Sequence, residues 1–138
     1  MPERSDVYAY FWVQGFICSP EEVTALLGFT PSSLEAVRTA ESGVLPSRPN
    51  MWLRHSPVPR GDSLLQDHLE GLLQVLEPHR EAVLSFGSKG QAGINCVGYY
   101  YGANPGLHLS ASLLARLTAL ALPVDFDLYN YSEAESAA

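Results

Sequence analysis

The chain has 138 residues, with 8 lysines and arginines against 15 aspartates and glutamates, and a formal net charge of −7. Its length fits one compact domain, and an apolar share of 46% is that of a chain with a core rather than of a disordered one. The acidic balance argues against non-specific nucleic-acid binding, which needs a basic surface to release phosphate counterions. We expect one globular α+β domain over residues 1–131 and a disordered tail over 132–138.

The cysteine count and the N-terminus favour the cytoplasm. Two cysteines, Cys18 and Cys96, are too few for a disulfide-rich secreted domain. Two are enough to form one pair, but we interpret them as small buried hydrophobic side chains. The apolar run over 7–13 follows a start that is not net basic, and it is at the lower limit for the core of a signal peptide. No stretch approaches the roughly 20 apolar residues of a membrane span.

The chain begins with a long strand and a capped helix. Residues 7–17 are rich in aromatic and β-branched side chains and are apolar on both faces, which is typical of a central strand. Ser19 then provides an N-cap, Pro20 suits the first helical position, and Glu22 completes a capping box. Gly28 ends this helix.

The segment that follows is harder to assign. Leu34, Val37 and Arg38 indicate a short helix, and residues 42–49 have the composition of a loop. Residues 50–55 alternate as a short strand does. The faces of this strand carry Met51 and Leu53 on one side, and Trp52 and Arg54 on the other.

The second half of the chain begins with a leucine-rich helix and a second long strand. The helix is capped by Asp62 or Ser63, runs to residue 76 and is interrupted at Pro78, after which another turn or two continues to Phe86. The strand covers residues 91–102.

The loop over 103–106 predicts a hairpin that returns through residues 107–109. In the register that keeps the aliphatic side chains together, His108 lies with Tyr99 and Tyr101 on the opposite face. A third helix then begins at Ser110, and a last strand runs from Val124 to Tyr131.

The predicted order is β-α-β-α-β-β-α-β. A serine-capped apolar helix followed by a proline occurs twice, at Ser19 and Pro31 and again at Ser110 and Pro123. A βαβ unit used twice predicts a two-layer α+β sandwich of ferredoxin-like type. We expect a mostly antiparallel sheet of about five strands with helices packed on it.

Several segments together resemble one family. They are the capped helix over 16–28, Pro31, the strand around Trp52 and, most specifically, the closing Asp-Phe-Asp-Leu-Tyr over 125–129. Over about residues 7–129 the sequence resembles the small bacterial family named domain of unknown function 4279. The stretch over 39–43 departs from that family, which has an Arg/Lys-Gly-Glu/Asp pattern there. The resemblance implies an α+β fold and a bacterial cytoplasmic origin, and it carries no assigned activity.

Asp125 and Asp127 are the pair that most suggests chemistry. Their spacing on a strand puts both carboxylates on one face, about 7 Å apart. Such a pair can hold Mg²⁺ or Ca²⁺, or share acid and base roles. No other acidic segment supplies the further ligands, so we favour an ion pair with an arginine such as Arg54, or plain exposure, and we predict no metal and no cofactor.

The histidines and cysteines do not have the spacing of a zinc site. The histidines are His55, His68, His79 and His108. A Cys96–His108 nucleophile pair is disfavoured, because the two residues fall on opposite faces of the predicted hairpin. We therefore assign no catalytic residue.

Aromatic side chains collect on one predicted sheet face, opposite the aliphatic one. They are Tyr8, Tyr10, Trp12, Trp52, Tyr99, Tyr101, Tyr129 and Tyr131. If the helices cover the aliphatic face, the aromatic face is half open and has the composition of a protein-binding hot spot. Alternatively, the long second helix covers it, or it stacks single-stranded bases, against which the acidity counts. The candidate binding surface comprises Trp12, Trp52, Arg54, Tyr99, Tyr101, His108, Asp125, Asp127 and Tyr129.

Three functions remain open from the sequence. We expect a non-enzymatic protein-binding module, resembling an immunity protein or acting as a homodimer, with a protein partner and with neither nucleic acid nor membrane. The first alternative is a small metal-dependent hydrolase centred on Asp125 and Asp127, and the second is a ligand-sensing regulatory domain.

Overall fold

The computed structural model describes residues 4–32, 37–38 and 50–131. Strands and helices follow in the order β1 (Asp6–Gln14), α1 (Pro20–Leu27), β2 (Val37–Arg38), β3 (Met51–His55), α2 (Leu65–Leu76), a 3₁₀ turn (Glu77–His79), α3 (Arg80–Ser88), β4 (Ala92–Tyr101), α4 (Ala111–Ala119) and β5 (Val124–Tyr131). The chain is thus α+β, as predicted. The predicted loop over 42–49, the departure at 39–43, Leu34 and the tail over 132–138 lie outside the described residues.

One mixed sheet organises the described chain. Four longer strands and the two-residue β2 follow the order β2-β3-β1-β4-β5. β1 is central and pairs antiparallel with both β3 and β4, whereas β4 and β5 are parallel. Trp12 of β1 therefore lies opposite Gly93 of β4 on one side and Leu53 of β3 on the other.

The helices build one core on a single face of the sheet. The sheet contributes Phe11, Trp52 and Ile94 to this core, and the buried leucines of α2 pack against them. Because side chains alternate along a strand, the opposite face stays outside this cluster. Truncating any one of these large side chains is expected to cost about 2–5 kcal/mol of stability. The sequence left open which face of the sheet the helix over 65–76 covers, and in the structure α2 covers the aliphatic one.

The helix caps confirm three predictions and correct a fourth. Ser19 accepts a hydrogen bond from the backbone N–H of Glu22 at 3.2 Å, and Ser110 caps α4 in the same way. Gly28 ends α1 with φ of +88°, in the left-handed region that glycine tolerates best. At α2, however, the cap is Leu64 without a side-chain bond, and Ser63 bonds to His68 instead.

The predicted hairpin after β4 is wrong. Residues 102–110 connect β4 to α4 without forming a strand, and His108 is exposed within this connection. The chain passes from this connection into α4 and returns as β5, which lies beside β4 and parallel to it. His108 therefore has no place in a ladder with Tyr99 and Tyr101.

The predicted repeat of the βαβ unit is correct only for its second copy, β4-α4-β5. In the first copy the chain after α1 reaches β3, which runs antiparallel to β1. The sheet therefore lacks the two parallel units behind the predicted ferredoxin-like arrangement. Val37 and Arg38 also differ from expectation, since they pair with β3 as the short strand β2 instead of forming a helix.

Both cysteines are free thiols, Cys96 buried and Cys18 half-buried against the core. Burial raises the pKa of the Cys96 thiol to about 12, so this thiol is an inert core group. Among the described helices, none has the length and apolar character needed to cross a bilayer.

Candidate functional site

The face of the sheet opposite the helices carries most of the aromatic side chains that the sequence predicted there. The ladders bring β1, β4 and β5 into register, with Tyr10 beside Asn95 and Tyr99 beside Tyr129. None of these side chains belongs to the core cluster that the helices form. We call this surface the open face. It comprises Tyr8, Tyr10, Trp12, Asn95, Val97, Tyr99, Tyr101, Asp125, Asp127, Tyr129 and Tyr131.

One half of the open face is fixed by a hydrogen-bond chain. The indole N–H of Trp12 donates to Oδ1 of Asn95 at 3.1 Å, and Nδ2 of Asn95 donates to the hydroxyl of Tyr10 at 2.9 Å. The amide of Asn95 thus uses both of its ends within the face. The indole of Trp12 occupies the space beside Gly93, where a Cβ atom would come within 2.8 Å of the indole Cε2. The absence of a side chain at Gly93 is what lets the indole rest on the sheet.

The other half of the open face is a stack of three tyrosines. Tyr99 lies against Tyr129 with ring centroids 4.9 Å apart and planes within 11°, and against Tyr131 at 6.2 Å. Tyr129 is 48% exposed. The Asp127 carboxylate raises the pKa of Tyr129, chiefly by its negative charge, so both groups lie on the same face. Asp125 and Asp127 are themselves exposed.

An arginine from the loop after β3 closes one end of the face. Nε and Nη2 of Arg60 donate to the two carboxylate oxygens of Asp6, at 3.0 and 2.5 Å, and the guanidinium lies 4.2 Å from the centre of the Tyr8 ring. The bond to Arg60 lowers the pKa of Asp6. Beside this pair lies a cavity of about 450 Å³ lined by Tyr99 and Tyr131 among others.

A buried histidine lies beneath a second cavity at this end. His68 of α2 is fully buried, and its Nε2 lies 2.8 Å from Oγ of Ser63. Its Nδ1 has no hydrogen-bond partner of good geometry in the described part of the chain. Burial lowers the pKa of His68, because it disfavours the charged form of the ring. The cavity measures about 310 Å³ and is also lined by His55.

The structure brings together six of the nine residues of the predicted surface. These are Trp12, Tyr99, Tyr101, Asp125, Asp127 and Tyr129. His108 lies in the connection after β4 and not on a strand.

Trp52 and Arg54 do not belong to the open face. Trp52 is fully buried on the helix side, where its indole donates to Thr24 Oγ1 at 3.1 Å. Arg54 lies on that same side of β3, donates to the carbonyl of Thr30 and lies over the ring of Phe29. The expected ion pair between Arg54 and an aspartate of β5 is therefore wrong.

Sequence reasoning missed Asn95 and Arg60. Asn95 does leave a signal, because it is the one amide in an apolar strand and stands on the same side of that strand as Tyr99. Arg60 leaves none, because its partner Asp6 is distant in sequence and only the ladder brings the two together.

Within the described residues, no group of three or more histidine, cysteine, aspartate or glutamate side chains is arranged to hold a metal ion. Asp125 and Asp127 also have no described arginine or lysine within ion-pair distance.

The fold and its face define a small α+β domain with helices on one side of a mixed sheet and an aromatic and acidic surface on the other. The chain belongs to the family described as Domain of unknown function (DUF4279), whose model matches residues 5–131. The resemblance drawn from the sequence is thereby confirmed over nearly the whole chain. No curated protein and no solved structure matches the chain.

Proposed function

We propose that this chain is a non-catalytic protein-binding module, and that the open face is its binding surface. The supporting observation is the juxtaposition of the stack of Tyr99, Tyr129 and Tyr131 with two exposed carboxylates, Asp125 and Asp127, which form no ion pair with the described residues. Tyrosines bury much area at little conformational cost and are enriched in hot spots of protein interfaces.

The charge of the open face defines the partner's chemistry. Two aspartates attract a lysine or arginine, and an arginine can also lie flat on a tyrosine ring. The partner segment is therefore basic with apolar flanks. Since the carboxylates are exposed, their pairing mainly raises the rate of association, and added salt weakens it.

The fixed half of the face supports binding rather than catalysis. Trp12, Asn95 and Tyr10 hold one another in place before any partner arrives, which lowers the entropy lost on binding. The metal-dependent alternative gains no support, because no third ligand joins Asp125 and Asp127 in the described part of the chain.

The test is partner retention by matched variants. Purified wild type is used to retain proteins from lysate of its native cells at low salt, beside Asp125→Asn/Asp127→Asn and Tyr129→Ala. The control is Asp67→Asn/Glu81→Gln, which makes the same charge change at exposed helix positions. We expect one partner that wild type and the control retain and both face variants lose.

Two results would contradict the proposal. One is a partner retained equally by the face variants, which would place binding elsewhere. The other is a wild-type protein that retains nothing at low salt although circular dichroism shows it to be folded.

A further inference from the structure

β5 forms one edge of the sheet, and no described residue pairs with its outer side. Every residue from 125 to 130 is exposed, including Phe126 at 37% and Leu128 at 45%. Exposed edge strands invite pairing with another chain, and proteins normally protect them with charged side chains, above all lysine, with proline or with a bulge. β5 has no lysine or proline, its only charged side chains are those of Asp125 and Asp127, and it pairs with β4 without a break over eight residues.

The ladder shows which backbone groups the edge offers. The N–H of Ile94 donates to the carbonyl of Pro123 at 2.9 Å, and Ile94 lies opposite Val124. In a parallel ladder this bond directs the backbone groups of the odd-numbered residues of β5 toward β4. The N–H and C=O groups of the even-numbered residues therefore point outward, and they are those of Val124, Phe126, Leu128 and Asn130.

We propose that a second copy of this chain occupies this edge, with β5 antiparallel to β5 across a two-fold axis at Leu128. Leu128 then lies opposite Leu128 of the second copy, and Asp127 lies opposite Tyr129 of the second copy. The same register places Phe126 opposite Asn130 and Asp125 opposite Tyr131. All outward backbone groups from Phe126 to Asn130 are paired.

The charges of β5 select this register. An axis at Asp127 would put two carboxylates face to face, and an axis at Phe126 would put Asp125 opposite Asp127 twice. Like charges directly opposite one another destabilise a ladder. An axis at Tyr129 would shorten the stretch of β5 that pairs with itself from residues 125–131 to residues 127–131. The axis at Leu128 sets each aspartate against a tyrosine and pairs the exposed leucines.

This arrangement has a consequence for the open face. A two-fold axis perpendicular to the sheet keeps all helices on one side, so the two open faces join into one continuous surface across β5. The inference goes beyond the proposed function and does not depend on it, because the edge is defined by backbone groups and not by a partner of the face.

The first experiment measures the mass of the protein in solution. Size-exclusion chromatography with light scattering, at about 100 μM protein, is expected to give a dimer for wild type. Leu128→Lys is expected to give a monomer, since it brings two ammonium groups together at the axis. Leu114→Lys is the matched control, because Leu114 is equally exposed, at 47%, but lies on α4. It should remain dimeric, and circular dichroism verifies that both variants fold.

The second experiment tests the register. In a Cys18→Ser background, Leu128→Cys is expected to form a covalent dimer on mild oxidation, since the Cα atoms of a hydrogen-bonded pair lie about 5.5 Å apart. Phe126→Cys is expected not to do so, because the two copies of this position are about 13 Å apart along the strands.

A monomeric wild type overturns the proposal. So does a Leu128→Lys variant that remains dimeric, since the dimer would then use another surface. Equal cross-linking by Phe126→Cys and Leu128→Cys overturns the register. If the wild type is a dimer but retains no partner, the inference about the β5 edge holds. Only the function proposed for the open face is then contradicted.

Discussion

Replacing Gly93 by alanine tests whether the missing side chain at Gly93 allows Trp12 to take its position on the open face. At an unstrained strand position this change would stabilise a protein by about 0.4–1 kcal/mol, because alanine restricts the unfolded chain. Here the new Cβ would lie 2.8 Å from the indole Cε2 and 3.1 Å from Cγ of Pro123, with Cζ2 of the indole closer still. The indole has to move by about 1 Å to regain normal contact distances.

That movement has a cost that the structure defines. The bond from Trp12 to Asn95 is 3.1 Å long, so a displacement of this size breaks it and releases the amide that positions Tyr10. Overpacking costs about 1–3 kcal/mol and a lost hydrogen bond about 1 kcal/mol. After the alanine gain is subtracted, we expect a net loss of about 1–3.5 kcal/mol.

Urea denaturation followed by far-UV circular dichroism measures this loss as a lower midpoint at unchanged slope. A double-mutant cycle isolates its cause. In a Trp12→Leu background the indole is gone and only the contact with Pro123 remains. Gly93→Ala should then cost clearly less, with a coupling energy of at least about 1 kcal/mol. If Gly93→Ala costs the same with and without Trp12, the reasoning is refuted.

Three further predictions concern the helix layer. Gly87→Ala should lower the free energy of unfolding, measured in urea, by about 1–2 kcal/mol, because the alanine Cβ would lie 2.6 Å from the carbonyl oxygen of Leu120. This loss is expected although helix propensity favours alanine over glycine by about 1 kcal/mol. A more stable variant would contradict the close approach of Gly87 to Leu120. The buried ring of His68 has its pKa lowered from 6.5, so below that pH the unfolded state takes up the proton more readily than the folded state. Stability should be constant from pH 8 to about pH 7 and fall toward pH 5, and the fall should be smaller in His68→Gln when urea midpoints are compared. Arg116 holds Glu77 through two nitrogens at 3.0 and 2.6 Å. Arg116→Lys should lower stability by about 0.5–1 kcal/mol at low salt and less in 1 M NaCl, and a loss independent of salt would contradict an ionic origin.

Local signals in the sequence predict most of the elements. Ser19 with Pro20 and Gly28 marks α1 at both ends, and all three residues act in the structure as the capping rules require. Strands β1 and β5 follow from their aromatic and alternating patterns. The helix at 65–76 matches α2 in extent, although its predicted cap residue turns instead to His68.

The errors share one cause, which is that strand pairing is not a local property. The alternation of β3 shows that Trp52 and Leu53 face opposite sides, but not which side is the core. Shifting the register by one residue exchanges the two faces. The ladder decides, because Leu53 lies opposite Trp12 and Trp52 therefore points toward the helices. The hairpin prediction was wrong for the same reason, since the turn signal at 103–106 does not indicate which strand pairs with β4.

The same limit explains how well the candidate site was predicted. Tyr99 and Tyr129 lie in separate strands, and each was assigned to the aromatic face by parity alone. Their stacking at 4.9 Å depends on β5 lying parallel to β4 in the register that sets these two residues side by side. The alternation of side chains thus predicted which residues lie on the open face, whereas the strand topology determines which of them are in contact.

The open face also shows how a two-layer fold accommodates an uncovered sheet. Trp12 and Val97 are only 9% and 6% exposed although no described helix lies over them, because neighbouring side chains of the same face shield them. Tyrosine suits this role, since its ring covers apolar neighbours while its hydroxyl stays in water. Short polar side chains would be enough to keep such a face soluble. The tyrosines of the open face additionally expose aromatic area that a partner can bury. The half fixed by Asn95 and the half formed by the tyrosine stack meet on β4, and this junction is where a rigid floor and exposed aromatic area coincide. Binding energy in protein interfaces concentrates at such positions, which places the centre of the proposed interface at Tyr99.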